Sequence, residues 1–100
     1  MYLARSAMDG MECLRTKPVN VLICDIGMPD EDGFSLIRRI RALDDRQKSE
    51  VAAVALTAYA RLEDRTEAIR AGFQNHLSKP VEPAELLAVV QSLASSRSKR

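Results

Sequence analysis

Residues 23–35 read ICDIGMPDEDGFS. An apolar run stops at Asp25, and a loop follows in which Asp30, Glu31 and Asp32 lie between Pro29 and Gly33. A strand can end in a carboxylate for two reasons. The group can cap a turn or the next helix, or it can stand at the carboxyl edge of a parallel sheet, where such sheets carry their functional groups. What ends the other strands decides between them.

Outward from this stretch the hydropathy alternates. VNVLIC (19–24) and VAAVAL (51–56) are short, almost unbroken apolar runs, as in parallel strands covered on both faces. Between them GFSLIRRIRAL (33–43) spaces Phe34, Ile37, Ile40 and Leu43 at helical intervals, with Arg38, Arg39 and Arg41 largely on the other side. SAMDGMECLRT (6–16) and ARLEDRTEAIRAG (60–72) predict two more helices, the second stopped by Gly72. FQNHLSK (73–79) is diluted by Gln74, Asn75 and Ser78, and its strand assignment rests on its place in the alternation. PAELLAVVQSLASS (83–96) has Pro83 and Glu85 in its first turn and a stripe of Leu86, Val89, Val90 and Leu93. The predicted order is helix, strand, helix, strand, helix, strand, helix: an α/β domain with an open parallel sheet and helices on both faces.

A chain of 100 residues, 46% of them apolar, predicts one domain over 1–100 with a single modest core. Fifteen basic and 14 acidic residues leave a net charge of +1, so no global field draws the chain to nucleic acid or to an anionic membrane. Cys13 and Cys24 lie in amphipathic and apolar segments, which predicts buried, reduced thiols. The N-terminal MYLARSAMDGMECL lacks the apolar core of a signal peptide, and no stretch approaches membrane-spanning length, so a cytoplasmic location is expected. Residues 94–100 are a basic polar end whose cations suit a helix C-terminus.

The apolar runs end at Asp25, Thr57 and Lys79, and in a parallel sheet all three emerge on one edge. Singly, they read as a cap, a small strand-end hydroxyl and a snorkelling lysine. Together they suit phosphoryl chemistry: a carboxylate can attack phosphorus to give an acyl phosphate, while an ammonium and a hydroxyl neutralise the phosphoryl oxygens. A divalent cation such as Mg2+ would normally complete the arrangement, using carboxylate and water oxygens.

DIGMPDEDG (25–33), ALTA (55–58) and KP (79–80), in this order and spacing, resemble the receiver domain of two-component response regulators and hybrid histidine kinases. The resemblance implies that Asp25 is the phosphoacceptor and that a sensor histidine kinase or a histidine phosphotransfer protein is its partner. It implies that Asp25 and the Gly27 backbone carbonyl serve the Mg2+ ion. Thr57 and Ala58 then belong to the switch and phosphoryl-binding segment, Lys79 pairs with the phosphoryl group, and the Lys79–Pro80 bond is cis. Met28 and Pro29 shape the loop, and Gly33 relieves the backbone where the loop enters a helix.

The chain departs from the family pattern in two places. His76 stands where the family usually has the Tyr or Phe that moves with the switch threonine. It reads either as an ordinary half-buried histidine or as the rotating ring, with pH sensitivity added. The family also opens with a strand ending in two adjacent acidic residues that bind Mg2+. No such pair precedes Asp25: Asp9 and Glu12 fall inside the first predicted helix, and YLA (2–4) covers at most the tail of the family's second strand.

The expected fold is therefore a flavodoxin-like receiver lacking its first strand and first helix. In the strand order 2-1-3-4-5 this loss makes VNVLIC an exposed apolar edge, open to dimerisation or strand exchange. Either the chain is an N-terminally truncated receiver or it borrows a strand from a partner, and both accounts predict weak or absent Mg2+ binding and slow phosphate uptake. The functional expectation is a phosphoacceptor module; the alternative is a pseudo-receiver working through protein contacts without phosphorylation. Neither is an enzyme. An aspartate-nucleophile phosphatase would carry a second Asp two residues after the nucleophile, where this chain has Gly27.

Overall fold

Residues 21 to 24 alternate between two cores. Leu22 and Cys24 enter one apolar cluster, Val21 and Ile23 the other, and all four are buried. That alternation is the period of a strand covered on both sides. The computed structural model describes residues 2–27, 30–58 and 61–98, the side chains of the last five excepted. The loop-shaping roles of Met28 and Pro29 and the basic side chains of 94–100 lie outside the described residues.

The elements run β1 (Tyr2–Ala4), α1 (Ala7–Thr16), β2 (Val21–Asp25), α2 (Gly33–Arg41), α3 (Arg46–Ser49), β3 (Ala52–Thr57), α4 (Leu62–Ala71), β4 (Asn75–Ser78) and α5 (Pro83–Ser98). The four strands form one parallel sheet in the order β1-β2-β3-β4. No helix among the described residues is long and apolar enough to cross a membrane.

One face of the sheet is covered by α1, α2 and α4. Leu36, Ile37 and Ile40 of α2 are fully buried there against Leu22, Cys24, Ala53 and Ala55, and each such side chain contributes about 1.5–3 kcal/mol over its exposed state. The helix α4 turns Ala68 and Ala71 inward and leaves Leu62 exposed. The opposite face is covered by α5, whose Leu86, Val89, Val90 and Leu93 pack on Val21, Ile23, Ala52, Val54 and Leu77. Cys13 and Cys24 are buried free thiols, and burial pushes the Cys24 thiol up to about 12.

Two expectations need correction. First, β2 is not an edge: Tyr2, Leu3 and Ala4 pair with Leu22, Ile23 and Cys24. The backbone groups of β2 require partners on that side, and the preceding segment supplies them, so the exposed edge is the three-residue β1. Second, Arg41 is not on the solvent side of its helix. Lying four residues after buried Ile37, it reaches under the sheet and donates to the carbonyls of Ser49, Val51 and Gly72 and to Gln74 Oε1, at 2.6 to 3.0 Å. Gly33 is not at a positive φ, which among the described residues only Gly72 has of the glycines. Gly33 is needed for room: a Cβ there would lie 2.8 Å from Ile26 Cδ1 and 3.0 Å from Ile26 Cα.

Candidate functional site

Parallel pairing brings the strand ends to one edge. Asp25 is the last residue of β2 and is in register with Leu56, so Thr57, the last residue of β3, stands one step beyond it. Thr57 is in register with Ser78, and the Lys79 N–H donates to the Thr57 carbonyl at 2.7 Å. The carboxylate, hydroxyl and ammonium read from the sequence are thus on three adjacent chain ends.

The Asp25 carboxylate serves both purposes that its position allows. Its Oδ1 accepts the Gly27 backbone N–H at 3.0 Å, which fixes the turn after the strand. Its Oδ2 is ion-paired with Lys79 Nζ. The side chains retain 32% and 45% of their exposure, so the pair can be reached from solvent. The Lys79–Pro80 bond is cis. Ala58 is exposed directly after β3.

Thr57 is 7% exposed, the only buried polar residue among those described, and its Oγ1 lies 2.8 Å from His76 Nε2. His76, on β4, is half-buried. Burial pushes its imidazole below the ordinary value of 6.5; Asp64 opposes that shift and Arg65 reinforces it.

The loop after Asp25 is held at both ends. The Gly33 N–H donates to the Ile26 carbonyl at 3.0 Å, and Asp32 caps α2 by accepting the Ser35 N–H at 2.7 Å. Asp30 reaches across to α1, where its two oxygens accept the Ala7 and Met8 N–H groups at 2.9 and 3.0 Å. Those bonds hold its carboxyl below the usual carboxylate range. No sequence signal pointed to Asp30, because its partners lie 23 and 22 residues away.

The donor set does not fit a Mg2+ ion, which takes six oxygens from waters and one or two carboxylates that are free to turn to it. Asp25 stands at the end of β2. The residue that follows β1, one step past the Ala4–Cys24 pair, is Arg5, a cation. Asp9 accepts from the Tyr2 hydroxyl and the Arg5 N–H, Glu12 pairs with Arg15, and Asp30 is taken by α1. Among the described residues no group of three or more His, Cys, Asp or Glu could hold a metal.

Fold and site together define a doubly wound type of α/β domain with its polar groups outside the carboxyl ends of the strands. The chain belongs to the response regulator receiver domain family, whose family model matches residues 1–91. It is 44% identical over 89 residues to an uncharacterised 14.6 kDa protein of Leptolyngbya boryana, and 36% identical over 95 residues to the transcriptional regulatory protein PrrA of Mycobacterium tuberculosis. The matches cover 89% and 92% of this chain but 66% and 39% of those proteins, so the chain spans less than two thirds of either relative.

Among solved structures, a response regulator receiver domain protein of Methanospirillum hungatei superposes with a TM-score of 0.80 at 26% identity, covering 94% of this chain and 72% of that one. The receiver domain of a Pseudomonas aeruginosa sensor histidine kinase superposes with a TM-score of 0.79 at 28% identity, covering 92% and 74%; that structure has a magnesium ion coordinated in its active-site cleft.

Proposed function

We propose that Asp25 accepts a phosphoryl group from a histidine kinase or a histidine phosphotransfer protein. The ion pair between Asp25 and Lys79 at the strand ends of a receiver domain carries this reading. Asp25 Oδ2 attacks phosphorus, the P–N bond to the donor's phosphohistidine breaks, and its electron pair returns to the donor imidazole, leaving an acyl phosphate. Lys79, already beside Oδ2, moves onto the phosphoryl oxygens, and Thr57 supplies a hydroxyl donor on the neighbouring strand. The module is a phosphoacceptor working in the cytoplasm, not an enzyme acting on a small substrate. Relatives named as transcriptional regulators and a neighbour within a sensor kinase support a role in two-component signalling.

Mg2+ binds weakly on this reading, because Asp9, Glu12 and Asp30 are engaged elsewhere and no metal-holding group of His, Cys, Asp or Glu is found among the described residues. The same observation favours the second reading, a pseudo-receiver that works through protein contacts without phosphorylation. Acetyl phosphate separates the two. The phosphoacceptor gains one phosphoryl mass that hydroxylamine removes and that Asp25→Asn abolishes. A chain that gains no such mass, or keeps it in Asp25→Asn, leaves the pseudo-receiver.

A further inference from the structure

The helix α1 turns two methionines away from the sheet. Met8 is 76% exposed and Met11 is partly buried against the core; three residues apart, they share one face of the helix. With Leu43, which follows the end of α2, they line a half-open groove of about 710 Å3 between α1 on one side and α2 and α3 on the other. Exposed apolar surface rimmed by polar groups marks an interaction site, and the flexible methionine thioether repacks around an incoming side chain.

Charge defines the occupant. Five carboxylates and three cations line the groove. Arg15 pairs with Glu12 and Arg39 with Glu31, while the Lys48 ammonium donates to the Arg15 carbonyl. Asp30, Asp44 and Asp45 are left with no cationic side chain as partner among the described residues. Asp30 lies where α1 begins, since it accepts the Ala7 and Met8 N–H groups, and Asp44 and Asp45 lie past the far end of α2. Uncompensated negative charge thus stands at both ends of a groove as long as the 10-residue α1, or about 15 Å.

We propose that this groove docks a basic amphipathic helix of a partner protein. An apolar stripe of about three turns lies along Met8, Met11 and Leu43, and Lys or Arg near its two ends face Asp30 and Asp44. Both walls are helices, so a third helix seats between them by ridges-into-grooves packing, whereas their internally bonded backbones offer an extended peptide no ladder. The same carboxylates repel nucleic acid and anionic membranes. The inference is independent of phosphoryl uptake at Asp25.

The test uses the full chain with 13C-labelled methionine methyl groups, the Met8 and Met11 signals being assigned by substitution. The probe is a synthetic helical peptide of about 12 residues with leucines at positions i, i+4 and i+7 and lysines at both ends; its control carries glutamates in place of the lysines. The lysine peptide is expected to move the Met8 and Met11 signals and to bind at least about tenfold more tightly than the control. Asp44→Lys and Met8→Lys, both at exposed positions, should each weaken it about tenfold. No binding of the lysine peptide, movement of other methionine signals only, equal binding of the two peptides, or unchanged binding in Asp44→Lys overturns the proposal. So does a chain that light scattering shows to be dimeric and that Met8→Lys makes monomeric, because a second copy then covers the groove.

Discussion

Lys79 and Asp25, 54 residues apart in sequence, are ion-paired at the carboxyl edge of the sheet. The pair is half-exposed, and such pairs contribute at most about 1 kcal/mol to folding. Lys79→Ala should therefore leave thermal stability within that margin while slowing phosphoryl labelling by acetyl phosphate at least about 100-fold, the usual cost of removing a preorganised charge from a reacting oxyanion. Equal labelling rates in the two proteins would remove Lys79 from the site.

Arg41 predicts the opposite pattern. Its guanidinium joins the end of α2 to the segments on either side of β3 by five hydrogen bonds, two of them to the Gly72 carbonyl. Arg41→Ala leaves those carbonyls short of a donor and should cost about 3 kcal/mol, or roughly 12–24 °C in melting temperature for a domain of this size. Asp25 chemistry measured well below the melting point should be unchanged. A loss under 1 °C in differential scanning calorimetry would contradict the bracing role.

Gly33→Ala tests the loop that aims Asp25. The added methyl would meet the Ile26 backbone and stand 3.2 Å from the Asp25 carbonyl, so the loop must move. A cost of about 1–3 kcal/mol is expected, with slower labelling at temperatures where the variant remains folded. Denaturant unfolding and labelling rate together distinguish this from a purely global effect.

Acid should weaken the fold in two steps. His76 is held below its ordinary 6.5, so its contribution is full above that value and is lost as pH falls through the folded value. Asp9 and Asp30 are held below the ordinary 3.8, so theirs is intact at neutral pH and disappears only below 3.8. Unfolding midpoints measured from pH 8 to 3 should flatten in the upper window for His76→Phe and in the lower window for Asp30→Asn.

The metal prediction concerns Arg5. In the chain as it stands, saturating Mg2+ should change the labelling rate by less than about tenfold, equivalent to about 1.4 kcal/mol. Arg5→Asp replaces the cation that follows β1 with a carboxylate and should make labelling more dependent on Mg2+. Equal Mg2+ dependence in the two proteins would show that the end of β1 is not part of the metal environment.

Much of this could be read from the chain because local pattern and fold agree. Pro83 and Gly72 mark helix ends by their own chemistry, and the runs at 19–24 and 51–56 have the composition of doubly covered strands. Arg41 was legible in part, since its spacing from Ile37 puts it on the buried face. A charged residue on that face is easily assigned to solvent until the carbonyls that receive it are located. The reach of Asp30 to α1 left no local trace.

By itself, then, the sequence determined the alternation of helices and strands and the polar residue at the end of each apolar run, because periodicity and capping act over a few residues. Only the tertiary structure decided which strand lies beside β2, where Arg41 goes and that Thr57 meets His76. Those contacts join segments from 8 to 33 residues apart, and backbone pairing and burial must be satisfied across the whole sheet before any of them exists.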